Sequence, residues 1–170
     1  MNPDIILTFD DGLYSNWWYF KKLNNIFNGP KIFLVNADIV LSANELKEHK
    51  LKVDIECTEA HENYFRNNDA SAYMQMIHLK AISQYQNCFI GWHTNNHTDL
   101  TFPDENISLK DKIIFFKEDI QKAKEFFETL ELPLKHFQFP YNKEDQIYLS
   151  LLKKEINSNI IYYPSRIELK

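Results

Sequence analysis

Asp4-Ile5-Ile6-Leu7-Thr8-Phe9-Asp10-Asp11-Gly12 is the stretch on which the reading of this chain turns. Pro3 and the Asp10-Asp11-Gly12 turn bound a short apolar run, the pattern of a buried strand that ends abruptly in carboxylates. Outward from it the same alternation repeats. Residues 16–28 carry Trp17, Phe20, Leu23, Ile26 and Phe27 at helical spacing, and Gly29-Pro30 stops them. Lys31–Val35 reads as a second strand. Ser42 stands three residues before Glu45, the pattern of a capping box, so residues 43–86 are expected to be mostly helical, with a break near 66–69 and a helix resuming from Ala70 to Tyr85.

Asn87–Trp92 reads as a third strand and runs straight into His93-Thr94-Asn95-Asn96-His97. Ser108 is expected to cap the longest helix, about 109–131, whose apolar stripe is Ile113, Phe116, Ile120, Ala123, Phe127 and Leu130, with Pro133 ending it. His136–Phe139 is a fourth strand closed by Pro140-Tyr141-Asn142, residues 143–157 a further helix, and Ser158–Tyr163 the last strand. Alternation of this kind implies an α/β fold with a parallel sheet or barrel and helices outside. Residues 1–170 form one domain, with the mostly helical 43–86 as an insertion. In such folds the carboxyl ends of the strands gather on one side, so Asp10-Asp11, His93/His97 and Pro140-Tyr141 are expected to converge.

Bulk composition narrows the function classes. The chain is 44% hydrophobic and 25% charged, with 13 Phe, 9 Tyr and only three Gly, two of which flank the polar clusters. A net charge of -5 without a basic run argues against a nucleic-acid partner, which needs clustered cations to displace counterions. No apolar stretch approaches the roughly 20 residues of a membrane helix. The N-terminus shows no basic region followed by an apolar stretch and cleavage site, so a cytoplasmic location is expected. Cys57 and Cys88 form no paired-cysteine motif and read as reduced, partly buried thiols.

Two adjacent carboxylates at a strand end repel each other, and a cation relieves that repulsion. Otherwise one caps a turn and the other faces water. His93 and His97, four apart, share a face if they lie on one helical turn; otherwise they are two surface histidines. Together, one carboxylate and two imidazoles make a ligand set for a single divalent ion with open positions. Zinc is the default, with cobalt and nickel also suited. A second carboxylate can accept a proton from water acidified by such an ion.

Thr8-Phe9-Asp10-Asp11-Gly12, His93-Thr94-Asn95-Asn96-His97 with Asp99-Leu100-Thr101, and Phe137-Gln138-Phe139-Pro140-Tyr141 occur in that order. They resemble the first three motifs of the polysaccharide deacetylases, metal-dependent carbohydrate esterases that include chitin and peptidoglycan deacetylases. Ile32–Val35 is similar to the family's second strand, whereas residues 43–86 match nothing specific. The resemblance implies a short distorted (β/α) barrel. It implies Asp10 as general base, Asp11, His93 and His97 as metal ligands, and the Tyr141 backbone N–H as an oxyanion donor. Pro140, Tyr141 and Trp92 would line the substrate site, and Thr94 and Gln138 would support the ligands. Trp17 and Trp18 add aromatic faces for a sugar or, alternatively, for the core.

Three departures stand out. Gln138 occupies the place of an arginine that orients the catalytic aspartate, leaving that charge to another cation such as Arg166. Asn142 replaces a glycine, a residue that tolerates left-handed backbone. No histidine follows His136, which itself reads as structural, so the family's late general acid is missing. His49, His61 and His78 lie in the helical segment and are expected on a solvated face; the alternative is that one of them folds over the site. The expected activity is removal of an acetyl (acyl) group from an N-acetylated amino sugar, nucleotide- or lipid-linked, in surface-polysaccharide assembly. The alternative is a catalytically impaired carbohydrate-binding or assembly module. A non-haem iron enzyme would use the same three ligands. Oligomeric state is left open.

Overall fold

The structure is a computed structural model that describes residues 5–101, 107–156 and 160–163. Five strands pair in parallel and in sequence order: β1 (Leu7–Phe9), β2 (Lys31–Val35), β3 (Cys88–Trp92), β4 (His136–Phe137) and β5 (Ile161–Tyr162). Crossovers between parallel strands turn right-handed, so strands laid down in order carry their helices on one face. That is barrel-type winding, here an open, curled half-barrel, as the alternation of strand and helix in the sequence implies. Among the described residues β1 and β5 are its two edges.

β2 is buried at all five positions. Its uninterrupted Ile32-Phe33-Leu34-Val35 run fits a parallel strand covered on both faces. Gly91 in β3 permits the tight spacing on either side. A Cβ there would lie 2.8 Å from Leu34 Cδ2 and 2.9 Å from His136 Cβ. The main core joins Phe33, Val35, Trp92, Phe137 and Phe139 to the inner faces of the later helices. Much of the aromatic surplus is spent there, as in the edge-to-face Phe116–Tyr148 pair at 4.7 Å between centroids.

After β1, the 16–28 pattern resolves into α1 (Tyr14–Trp18) and α2 (Phe20–Ile26), broken at Tyr19. The capping-box reading at Ser42 is wrong. Ser42 lies inside α3 (Ala37–Asn44), and its Oγ donates back to the Asp38 carbonyl at 2.9 Å. The region after it is less helical than expected. It holds one 3-10 turn (Glu48–Lys50), α4 (Cys57–Asn67), ended by left-handed Asn68, and α5, which starts at Met76 rather than Ala70 and runs to Ser83. Residues 70–75 instead dock on the loop after β1. Tyr14 N donates to Ala72 O at 2.7 Å, Met74 N donates to Gly12 O at 2.8 Å, and Leu13 bridges Tyr73 antiparallel. A second core of Ile39, Ala43, Ala60, Ala70, Ala72 and Tyr73 fastens α4 beside that loop.

The long helix behaves as expected. α6 spans Leu109–Leu130, and Ser108 Oγ accepts from Asp111 N at 3.1 Å. Its C-terminus closes with left-handed Glu131, ahead of Pro133. α7 (Gln146–Glu155) starts later than expected because the Asp145 carboxylate caps it by accepting from Tyr148 N at 2.8 Å. Asp4, Ser158, Asn159 and Arg166 lie outside the described residues.

Candidate metal centre

Asp11, His93 and His97 come together at the carboxyl ends of β1 and β3. Asp11 Oδ1 lies 3.1 Å from His97 Nε2 and 3.6 Å from His93 Nε2. Asp10 Oδ2 stands 4.0 Å from His93 Nε2. The histidines do not share a helical turn, contrary to the spacing argument. They lie on an irregular loop in which Thr94 and His97 both adopt left-handed backbone, at φ 63° and 50°. Asp11 (66°), Tyr141 (57°) and Asn142 (55°) do the same.

That loop is pinned from several sides. Thr94 is buried, and its Oγ1 accepts from Thr98 N at 3.1 Å, so it orients the turn between the two imidazoles. Asn36, wholly buried at the end of β2, donates to the His93 carbonyl at 2.6 Å. Asn95 donates to the Asp119 carboxylate at 2.6 Å and Asn96 to Asp38 at 2.6 Å. Tyr148 donates its hydroxyl to Asp119 at 2.6 Å. Sequence reading missed Asn36, Asp38, Asp119 and Tyr148, because only the fold brings them to the loop.

His93 Nδ1 is 2.9 Å from the Gln138 carbonyl. A carbonyl only accepts, so Nδ1 carries a hydrogen, and the neutral form of the ring presents its lone pair at Nε2. Nε2 faces the Asp11 carboxylate. Asp11 Oδ1 is buried and has no hydrogen-bond partner, as is true of His97 Nδ1. Burial would raise the Asp11 carboxyl, but contacts with His61, His93, His97 and Cys57 outweigh it and hold it well below the usual carboxylate range. Burial pulls His97 down to about 4, so its ring is neutral at pH 7. An ionised carboxylate facing two imidazole nitrogens suits a divalent cation in donor chemistry. The three donor atoms lie within 4.8 Å of one another.

Other expected site residues fare differently. Tyr141 is 57% exposed, and its ring lies 4.5 Å from that of His97, beside the candidate ligands. Pro140 is buried and shapes the turn rather than offering a surface. Trp92 does not serve as a sugar platform: it is fully buried, packed on Phe137 and Tyr148. Trp17 packs against the core and Trp18 is exposed. Gln138 is buried, and its Nε2 donates to Asn142 Oδ1 at 3.1 Å. His136, held by Tyr163 Oη at 2.8 Å, is structural as read.

The expectation of a solvated face fails for two histidines. His78 is buried, and its Nδ1 accepts from Gln75 N at the start of α5. His61 reaches the centre itself. Its ring stacks on His97 at 4.4 Å, and its Nε2 lies 3.5 Å from Asp11 Oδ2. Cys57 arrives with it, donating Sγ–H to the same oxygen at 3.0 Å. Burial, with the carboxylates beside it, pushes the Cys57 thiol up to about 12. Their spacing of four on one helix puts them on a common face and is the signal that could have found them.

No family model matches the sequence, and no curated protein does. Solved structures do resemble it. The de-N-acetylase from Aggregatibacter actinomycetemcomitans superposes with a TM-score of 0.68 at 14% identity, over 91% of this chain and 60% of that one. The BpsB deacetylase domain from Bordetella bronchiseptica gives 0.65 at 18% identity, over 92% and 62%. The Streptococcus pyogenes deacetylase PplD, in complex with acetate, gives 0.60 at 14%, over 91% and 53%. The chain thus spans between about half and three-fifths of the length of these relatives in structure. Sheet order, crossover pattern and these superpositions lead to one identification: the chain has the fold of the polysaccharide deacetylases.

Proposed function

We propose that the chain removes an acetyl group from an N-acetylated amino sugar with the help of one divalent ion, zinc by default and cobalt or nickel as alternatives. The observation that carries the reading is the meeting of Asp11 Oδ1 with the Nε2 atoms of His93 and His97, with Asp10 adjacent. The deacetylase fold supports it.

In this mechanism Asp11, His93 and His97 hold the ion, which when bound supplies Lewis acidity to the amide carbonyl and to water. Asp10 takes the proton from the attacking water. The Tyr141 backbone N–H donates to the developing oxyanion, aided by the left-handed turn that follows Pro140. Gln138 O keeps His93 in the tautomer that presents Nε2. As the C–N bond breaks, the proton taken up by Asp10 passes to the leaving amine. The products are acetate and a free amino sugar, and Asp10 returns to its ionised form. Exposed Tyr141 offers one ring face to the sugar.

The substrate class extends to nucleotide- or lipid-linked amino sugars in surface-polysaccharide assembly. No described helix is long and apolar enough to cross a membrane. The second reading, a carbohydrate-binding module without turnover, is favoured by Gln138, which brings no positive charge to the third motif.

The test is release of acetate or free amine from N-acetylated sugars by metal-loaded protein, with Asp10→Asn as control. Asp10→Asn is expected to lower turnover about 10²–10⁴-fold while retaining the ion. Undiminished turnover in that variant would overturn the mechanism. Sugar binding without any release would favour the second reading.

A further inference from the structure

Asp11 has two carboxylate oxygens, and they face different partners. Oδ1 faces His93 and His97, the pair that the deacetylase motifs single out. Oδ2 faces Cys57 Sγ at 3.0 Å and His61 Nε2 at 3.5 Å, both from α4. Those three donors also lie within 4.8 Å of one another. Bonds of about 2.0–2.3 Å around a tetrahedral zinc-type ion put neighbouring donors roughly 3.3–3.7 Å apart. Both halves of the Asp11 carboxylate therefore stand near coordination spacing from two further ligands.

His61 is oriented as a ligand would be. Its Nδ1 is 3.2 Å from Tyr73 Oη, while its Nε2 is buried and makes no hydrogen bond. A metal-ligating imidazole has its second nitrogen fixed in this way. Tyr73 is itself immobilised. It is wholly buried and bridges Leu13, two residues after Asp11. The contacts that dock residues 70–75 on the β1 loop thus set the register of α4 against the carboxylate.

We propose that Asp11 Oδ2, Cys57 Sγ and His61 Nε2 form a second site for a soft divalent cation of the zinc class, with Asp11 bridging it to the ion at His93 and His97. Thiolate and imidazole favour zinc or cobalt over magnesium, calcium or manganese, which prefer oxygen. Three protein ligands leave a fourth position for water. Binding releases the Cys57 thiol proton to solvent as the metal–sulfur bond forms. The stacked rings of His61 and His97 place the half-sites side by side, the arrangement of two-metal centres with ions about 3.5–4 Å apart. The inference shares Asp11 with the proposed deacetylase centre but does not rest on turnover.

The experiment is titration of metal-free protein with cobalt(II), following bound equivalents by equilibrium dialysis and elemental analysis, and the near-ultraviolet thiolate-to-cobalt absorption. Wild type should take up two equivalents, one of them developing the thiolate band. Cys57→Ser and His61→Ala should each take up one, and Cys57→Ser should lack the band. His93→Ala should lose an equivalent and keep the band. A single equivalent in wild type, absence of the band, or two equivalents in Cys57→Ser would each overturn the proposal. Circular dichroism checks the variants' folding; should one misfold, wild-type stoichiometry and spectrum still decide. An inactive protein with two ions and a thiolate band would refute deacylation and leave the second site standing. An active one with a single ion would do the reverse.

Discussion

Gln138 and Asn142 hydrogen-bond to each other, Nε2 to Oδ1 at 3.1 Å. These are the two positions at which the third motif departs from the deacetylase pattern, so the departures form a coupled pair. Residues in direct contact show interaction energies of about 0.5–3 kcal/mol in double-mutant cycles. Gln138→Leu and Asn142→Gly should therefore be non-additive in urea-unfolding stability by at least about 0.5 kcal/mol. Additivity within error would show that the two changes are independent.

Removal of a candidate ligand should be visible as lost metal. His97→Ala and Asp11→Ala are expected to leave the isolated protein without the ion at His93, whereas Asp10→Asn retains it. Elemental analysis of the three purified variants checks this. Equal metal content in wild type and His97→Ala would remove His97 from the ligand set.

Asn36 offers a test of the support beneath the site. Its amide satisfies the buried His93 carbonyl at 2.6 Å. Asn36→Ala strands that carbonyl, at a cost of about 1–3 kcal/mol. It should also weaken metal affinity about 10–100-fold, as loss of an orienting partner does. Chemical denaturation and competition with a chelator measure the two effects separately.

The buried Asp119 carboxyl predicts a pH dependence. Burial pushes it up to about 6 from 3.8, against the hydrogen bonds from Tyr148 and Asn95 that favour its ionised form. Between those values the folded chain holds a proton that the unfolded chain releases. Stability from this group is therefore present below about pH 4, falls as pH rises towards 6, and is level above it. His97 acts in the opposite sense. Its folded value of about 4 lies below 6.5, so its contribution is full above 6.5 and is lost as pH falls towards 4. Asp119→Asn abolishes only the first effect. Its stability relative to wild type should rise by up to about 2 kcal/mol between pH 4 and 7, read from metal-free urea unfolding at each pH. A constant difference would show that Asp119 does not titrate there.

Gly91→Ala tests the sheet. The added methyl meets Leu34 on one side and the His136 backbone oxygen, at 3.0 Å, on the other. Backbone cannot swing aside as a side chain can, so a loss of about 1–3 kcal/mol is expected in thermal or urea unfolding.

What the sequence disclosed was what local pattern controls. The parallel strands, the Ser108 cap and the length of α6 depend on periodicity and end signals within their own segments. The candidate ligand set was legible because strand ends converge in this class of fold. Ala70–Gln75 was misread as helix because its backbone bonds go to Gly12 and Tyr14, far away in sequence. Trp92 was misplaced because a ring next to a motif looks the same whether it faces substrate or core. His61 and Cys57 had the right spacing on α4, but only the docking of Tyr73 turned their face toward Asp11.

The left-handed backbone at Asp11, Thr94, His97, Tyr141 and Asn142 has an evolutionary corollary. Each such non-glycine residue costs of order 1 kcal/mol, most at β-branched Thr94. A lineage of this chain selected only to stay folded would relax these positions early, long before it disturbed the sheet. Persistence of the five conformations among descendants would thus serve as a record of continued use.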